Sequence, residues 1–251
     1  MKKVALITGA SAGLGVEFAK ALSKRGHTLV LVARRKERLD ELAKELGKAR
    51  AVALDLSKPN AAAKLMADIE AKGEQVDLLV NNAGFGLIGQ FATLDAKRER
   101  QMIDLNVATL TDLCRAVAPQ MIKRRSGAIL NVASTAAFQP GPKMAVYFAT
   151  KAFVLHLSEA LHEELKPHGI KVTCLCPGPT RTEFGDVAGF GGNGLFDHVA
   201  MNSAEVVEAG LRGLDKNHAV VVPGLMNKIG AASTRFAPRP VVRKIAGAIK
   251  Y

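Results

Sequence analysis

The sequence has no tryptophan, two tyrosines and three cysteines, and aromatic residues fill only 5% of its 251 positions. Each shortage excludes something. Three cysteines cannot build a disulfide scaffold, and reduced thiols in a cytosolic compartment are the simpler reading. Aromatics are too few for a chain that stacks nucleic-acid bases, and no nucleic-acid motif accompanies them. No apolar run reaches the roughly 18 residues that a membrane-spanning helix needs. The opening residues 1–7 imitate a secretory leader, but Thr8, Gly9, Ser11 and Gly13 break the apolar run and Glu17 follows. A buried strand entering a glycine loop is expected instead. The six histidines lack the spacing of a ligand cluster, so no metal is expected.

What remains is ordinary globular composition, 48% hydrophobic and 23% charged, in a chain long enough to bury a large core without staples. The net charge of +12 is uneven. Residues 228–251 hold six cations and no acid, which leaves +6 for the rest. That modest excess suits an anionic ligand such as a phosphorylated cofactor.

Short aliphatic runs recur at Val4–Ile7, Thr28–Val32, Ala51–Leu54, Asp77–Val80, Ala128–Val132, Ile170–Cys176 and Ala219–Val222. Near-continuous apolar runs are the pattern of parallel strands covered on both faces. Between them, Glu17–Arg25, Arg35–Leu46, Ala61–Lys72, Lys97–Lys123 and Thr150–Lys166 have helical spacing, with Pro119 expected to kink or interrupt the fourth. Strands alternating with helices predict an α/β fold with a parallel sheet and helices on both faces.

Thr8-Gly9-Ala10-Ser11-Ala12-Gly13-Leu14-Gly15 follows the first strand and opens a helix. Glycines there permit a tight turn and let a pyrophosphate approach backbone N–H groups at the helix N-terminus. An acid at the end of the second strand would take a ribose and mark NAD. Here Ala33-Arg34-Arg35 stands instead, and a guanidinium pairs with a 2′-phosphate. The cofactor is therefore expected to be NADP(H), with Arg34 the first candidate and Arg35 the second. Asp55-Leu56 and Asn81-Asn82-Ala83-Gly84 end strands three and four, where open sheets bind ligands.

Tyr147 and Lys151 are four residues apart and share a helical face. An ammonium beside a phenol is expected to lower its pKa and fit it for proton transfer. Ser134 follows strand five, and Asn106 lies in the long fourth helix.

In order and spacing these motifs resemble the short-chain dehydrogenase/reductase family, over residues 2 to about 223. The resemblance implies a single Rossmann-type, doubly wound domain with a seven-stranded parallel sheet. It implies a catalytic tetrad of Asn106, Ser134, Tyr147 and Lys151. Tyr147 would move the proton at the substrate oxygen, Ser134 hold that oxygen, Lys151 contact the nicotinamide ribose, and Asn106 support a proton path. Cofactor contacts fall on Gly9, Ser11, Ala12, Gly13, Leu14, Gly15, Arg34, Arg35, Asp55, Leu56, Asn82, Ala83, Gly84, Tyr147, Lys151, Pro177, Gly178, Thr180 and Thr182. A homodimer or homotetramer through the two long helices is implied as well.

Phe85, Phe138, Met144, Phe184 and Phe190 are candidate walls for an apolar carbonyl or alcohol. Gly185–Asp197 is a glycine-rich flap expected to order over substrate. Residues 1–223 are read as the catalytic domain and 224–251 as a basic tail packed on it or extending from it, with membrane contact the less favoured role. The alternative to an enzyme is a non-catalytic NADP-binding scaffold, which has no need of Tyr147 and Lys151 together. A nucleotide-binding methyltransferase would share the glycine loop but not the Tyr–Lys pair.

Overall fold

The computed structural model describes residues 3–188 and 200–248. In chain order the elements are β1 (Val4–Thr8), α1 (Gly13–Lys24), β2 (Thr28–Ala33), α2 (Lys36–Leu46), β3 (Ala49–Ala53), α3 (Ala61–Ala71) and β4 (Val76–Asn81). There follow α4 (Ala96–Ile103), a π-helical turn (Asp104–Thr109), α5 (Leu110–Arg124), β5 (Gly127–Val132), a 3₁₀ turn (Thr135–Phe138) and α6 (Ala145–Leu165). The remainder is β6 (Ile170–Leu175), α7 (Phe184–Ala188), α8 (Ser203–Asp215), β7 (Val220–Val221), α9 (Leu225–Ser233) and α10 (Arg239–Ala248).

The seven strands form one parallel sheet in the order β3-β2-β1-β4-β5-β6-β7. Alternate side chains of a strand face opposite ways, and here each way is a core. Val4 and Leu6 of β1 and Val30 and Val32 of β2 join one cluster, with Leu65 and Ile69 of α3, Leu113 and Val117 of α5 and Val154 of α6. Ala5, Ile7, Leu29 and Leu31 join the other, with Phe18 and Leu22 of α1, Leu39 of α2 and Leu211 of α8. This is the doubly wound Rossmann-type arrangement. It puts a crevice beyond the carboxyl ends of β1 and β4, the neighbours from which the chain winds outward in both directions.

Three local expectations are corrected. The fourth helix does not run unbroken from Lys97 to Lys123. It widens at Asp104–Thr109, where the Asn106 carboxamide bonds Phe85 and Thr150 in place of a regular helical surface. Nor does Pro119 interrupt it, for α5 continues through Pro119 to Arg124. Pro119 and Arg115 are both exposed, where water can take the carbonyl that proline leaves without a donor. The helix carrying Tyr147 begins earlier than its spacing suggests, at Ala145.

Most of the flap, residues 189–197 with Phe190, lies outside the described residues. The tail folds as α9 and α10, which bury Ala231 and Ala246 but leave their large apolar residues exposed.

Candidate active site

A cavity of about 600 Å³ opens over the crevice. Its floor begins with a staple between β1 and β4. The Thr8 hydroxyl accepts from the Asn82 and Ala83 N–H groups, each at 3.0 Å, and the Asn82 amide donates to the Thr8 carbonyl. Gly9 turns the chain at φ +67° and Gly13 at φ +52°. A Cβ on Gly9 would stand 2.8 Å from the Asn82 amide nitrogen, and one on Gly13 would stand 3.0 Å from Thr182. The loop is thus a cradle held between two walls, with the N-terminus of α1 opening onto it. Ser11, Ala12, Gly13 and Leu14 line the cavity with Gly9. Gly15 does not. It packs beneath, where a Cβ would lie 2.1 Å from the Gly9 carbonyl oxygen.

Ala33, Arg34 and Arg35 form the next stretch of wall. The two arginines differ. Arg35 donates to the Ser11 hydroxyl and carbonyl and pairs with Glu183 at 2.9 Å, and Arg38 pairs with the same carboxylate at 2.6 Å. Those hydrogen bonds, from Arg38 first and then Arg35, hold Glu183 below its usual range. Arg34 is exposed and forms no hydrogen bond or ion pair among the described residues, which leaves its fork open to an anion. Across from it, Asp55 and Leu56 line the cavity. Burial pushes the Asp55 carboxyl up, but two hydrogen bonds from Ser57 and the Arg34 charge outweigh it and leave the pKa lowered. Asn82, Ala83, Gly84, Pro177, Gly178, Thr180 and Thr182 complete this end.

At the other end the chemistry gathers. Ser134 follows β5, accepts from the Ala136 N–H at 3.1 Å, donates to the Pro177 carbonyl at 3.4 Å and lines the cavity with Tyr147. Lys151 lies one turn of α6 beyond Tyr147, with Nζ 5.7 Å from the ring centre, and donates to the Val132 carbonyl at 2.9 Å. Both side chains are buried. Burial pushes the phenol up to about 12, opposed by the Ser134 hydrogen bond. The expected lowering by Lys151 does not appear: the ammonium is turned to Val132, and loss of water around the phenol sets the direction. Burial pushes the Lys151 ammonium down to about 8, with Cys174 and Cys176 working the other way.

Asn106 does not line the cavity. Its carboxamide accepts from the Phe85 N–H at 3.2 Å and donates to the Phe85 carbonyl and the Thr150 hydroxyl, so it ties the Phe85 backbone to the side chain of the residue before Lys151. Gly84 keeps that junction open, since a Cβ there would stand 3.0 Å from the Asn106 oxygen and 3.5 Å from the Lys151 ammonium.

The apolar wall includes Phe85, Met144 and Phe184. The Phe184 ring lies 5.4 Å from that of Tyr147. Phe138 does not line the cavity and packs against the core on the sheet face covered by α5 and α6, because the 3₁₀ turn points it inward. Phe148 takes a place there instead, edge-on to Tyr147 at 6.1 Å. Sequence reasoning also passed over Gly86, whose missing Cβ would stand 3.0 Å from Phe184 and 3.2 Å from both Met144 and Tyr147. It passed over Arg98, Gln101 and Leu105 as well. Their spacing of three and four, one stripe of the long helix, was the available signal. No group of three or more potential metal ligands is assembled among the described residues.

A glycine cradle continuous with buried Tyr147 and Lys151 and half-buried Ser134 defines an oxidoreductase site on a dinucleotide-binding fold. Residues 3–188 match the short chain dehydrogenase family, and the chain belongs to it. The NADP-dependent 3-hydroxy acid dehydrogenase YdfG of Escherichia coli is 37% identical over 80% of this chain and 82% of its own. A short-chain dehydrogenase from Sphingobium yanoikuyae, solved in complex with NADPH, is 36% identical with a TM-score of 0.85, over 99% of this chain and 96% of that one. A bulky-bulky ketone specific alcohol dehydrogenase from Comamonas testosteroni is 32% identical with a TM-score of 0.78, over 99% and 95%.

Proposed function

We propose that the protein is an NADP(H)-dependent oxidoreductase that interconverts a carbonyl and a secondary alcohol on an apolar small molecule. The observation that carries this reading is that Ser134, Tyr147 and Lys151 line one cavity together with a wall of Phe85, Met144, Phe148 and Phe184. The cradle fits a dinucleotide, since Gly9 and Gly13 turn at positive φ and a Cβ at either would press on Asn82 or Thr182 and move the loop from the helix N-terminus it lines. Arg34, with no hydrogen bond or ion pair to occupy its fork, fits a 2′-phosphate, and Ala33 offers no acid to repel it.

When bound, the nicotinamide group supplies or takes the hydride. The chain manages the proton. In reduction, Tyr147 gives its hydroxyl proton to the substrate oxygen, and Ser134 holds that oxygen. The Lys151 charge and the Ser134 hydrogen bond steady the phenolate left behind. Asn106 and Gly84 set Lys151 in place. The NADP-dependent relative and the NADPH complex support the cofactor assignment, and the ketone-specific relative supports the substrate class.

A second reading, a hydroxy acid substrate, is favoured by Arg98, whose guanidinium lies 5.2 Å over the Phe85 ring at the cavity wall. We place the protein in the cytoplasm as a homo-oligomer. The apolar hollow between the π-turn and α6, lined by Ile103, Val107, Ala145, Val146, Ala149 and Thr150, supports a contact between copies there. A carbonyl panel run with NADPH and NADH in parallel tests the function. Turnover of bulky apolar ketones with NADPH is expected. Preference for oxo acids, lost in Arg98→Ala, would establish the second reading, and no turnover of either class would overturn both.

A further inference from the structure

Among the described residues, six of the nine large apolar side chains that stand exposed fall within 225–245. Leu225, Met226 and Ile229 lie on α9, Phe236 in the turn that follows, and Val241 and Ile245 on α10. Phe236 is 87% exposed and Met226 77%, far beyond what a packed tail needs. Leu225 and Ile229, and again Val241 and Ile245, are four apart, so each helix carries a short apolar stripe. These helices are anchored, not loose ends. Ala231 and Ala246 are buried, and the Asn227 amide donates to the Pro223 carbonyl at 2.9 Å.

The charge of the same stretch selects the partner. Residues 224–248 hold Lys228, Arg235, Arg239, Arg243 and Lys244 and no acid. A second copy meeting this face about a twofold axis would set cations against cations. An anionic lipid surface accepts both features, with apolar side chains entering the interface and cations meeting headgroup phosphates. No described helix is long and apolar enough to cross a membrane, so the contact is peripheral. We propose that α9, α10 and the turn between them form a docking face for a bilayer containing anionic lipid.

Flotation of the full chain with vesicles tests this. The protein is expected to float with phosphatidylcholine mixed with phosphatidylglycerol, to stay behind with phosphatidylcholine alone, and to be released by raised salt. Replacing Lys244 or Arg243 by Gln is expected to weaken partition about five-fold each. The triple variant I229D/F236D/I245D is expected to lose binding by at least about tenfold. Its melting temperature and its turnover of a water-soluble carbonyl should match the wild type, which separates lost docking from lost folding. Failure of the wild type to float with anionic vesicles overturns the proposal, as does binding that survives the triple substitution. A smaller particle for the triple variant in light scattering, with no vesicle binding by the wild type, would assign the face to a contact between copies instead.

Discussion

The Lys151 ammonium lies 5.7 Å from the centre of the Tyr147 ring and donates to the Val132 carbonyl, not to the phenol oxygen. The pair shares a buried site in which water has been removed from both groups. Each pKa moves toward its neutral form, the phenol up to about 12 and the ammonium down to about 8. At neutral pH the site therefore holds a protonated phenol beside a mainly charged amine, a donor ready for carbonyl reduction. As Tyr147 ionises during the reaction, the ammonium becomes more valuable, which is the differential stabilisation that catalysis requires.

A buried ammonium weighs against folding. The unfolded chain binds more protons between pH 8 and 10.5, the folded and ordinary values for Lys151, so stability rises with pH across that window. The strain is fully present below pH 8. Lys151→Met should therefore stabilise the protein at pH 7. The pKa difference sets a ceiling of about 3 kcal/mol, less about 1 kcal/mol for the lost bond to Val132. The gain should shrink as pH approaches 10. Urea denaturation of both proteins at pH 7 and pH 9.5 measures it. A variant less stable than wild type at pH 7 contradicts the buried-cation account.

The same titration should appear in turnover. As pH rises through about 8, the free protein loses the Lys151 charge, and kcat/KM for carbonyl reduction should fall on that limb. A profile flat from pH 6 to 10 would remove Lys151 from the proton-transfer step.

Arg34 and Arg35 are adjacent, yet only Arg34 forms no hydrogen bond or ion pair among the described residues. Arg34→Ser should weaken NADPH binding about ten- to a hundredfold, the worth of a charge-assisted hydrogen bond, and leave NADH binding within about twofold. Arg35→Ser should cost less, because Glu183 and Ser11 already occupy its guanidinium. Fluorescence titration of both cofactors decides. Equal losses for NADH and NADPH would show that Arg34 does not read the 2′-phosphate.

Gly86 sets how much of the apolar wall a substrate can use. A Cβ there meets Phe184, Met144 and Tyr147 at 3.0–3.2 Å. Gly86→Ala should raise KM for a bulky aromatic ketone by about tenfold and change that for a small ketone little. An equal effect on both would mean that the residue shapes the fold and not the pocket.

Much of this was legible in the sequence, because its signals are local. The near-continuous apolar runs marked the strands, the glycines at 9 and 13 marked the cradle, and Tyr147 and Lys151 declared one helical face. What was not legible depends on distant partners. The widening at Asp104–Thr109 follows from Asn106 reaching Phe85 and Thr150 across the fold, which no helix propensity encodes. Phe138 and Phe148 carry the same side chain, and only the 3₁₀ turn before α6 decides that the first joins the core and the second the cavity. The raised phenol pKa was missed for a related reason. Spacing reveals the ammonium's proximity, but only the packed structure reveals how completely water has been removed.

The most direct test is Tyr147→Phe, assayed for NADPH-dependent reduction and for NADPH affinity in the same preparation. The account predicts a loss of about 10²- to 10⁴-fold in turnover, with cofactor affinity held within about twofold, since only the hydroxyl is removed. Turnover within tenfold of the wild type, with cofactor bound normally, would contradict it.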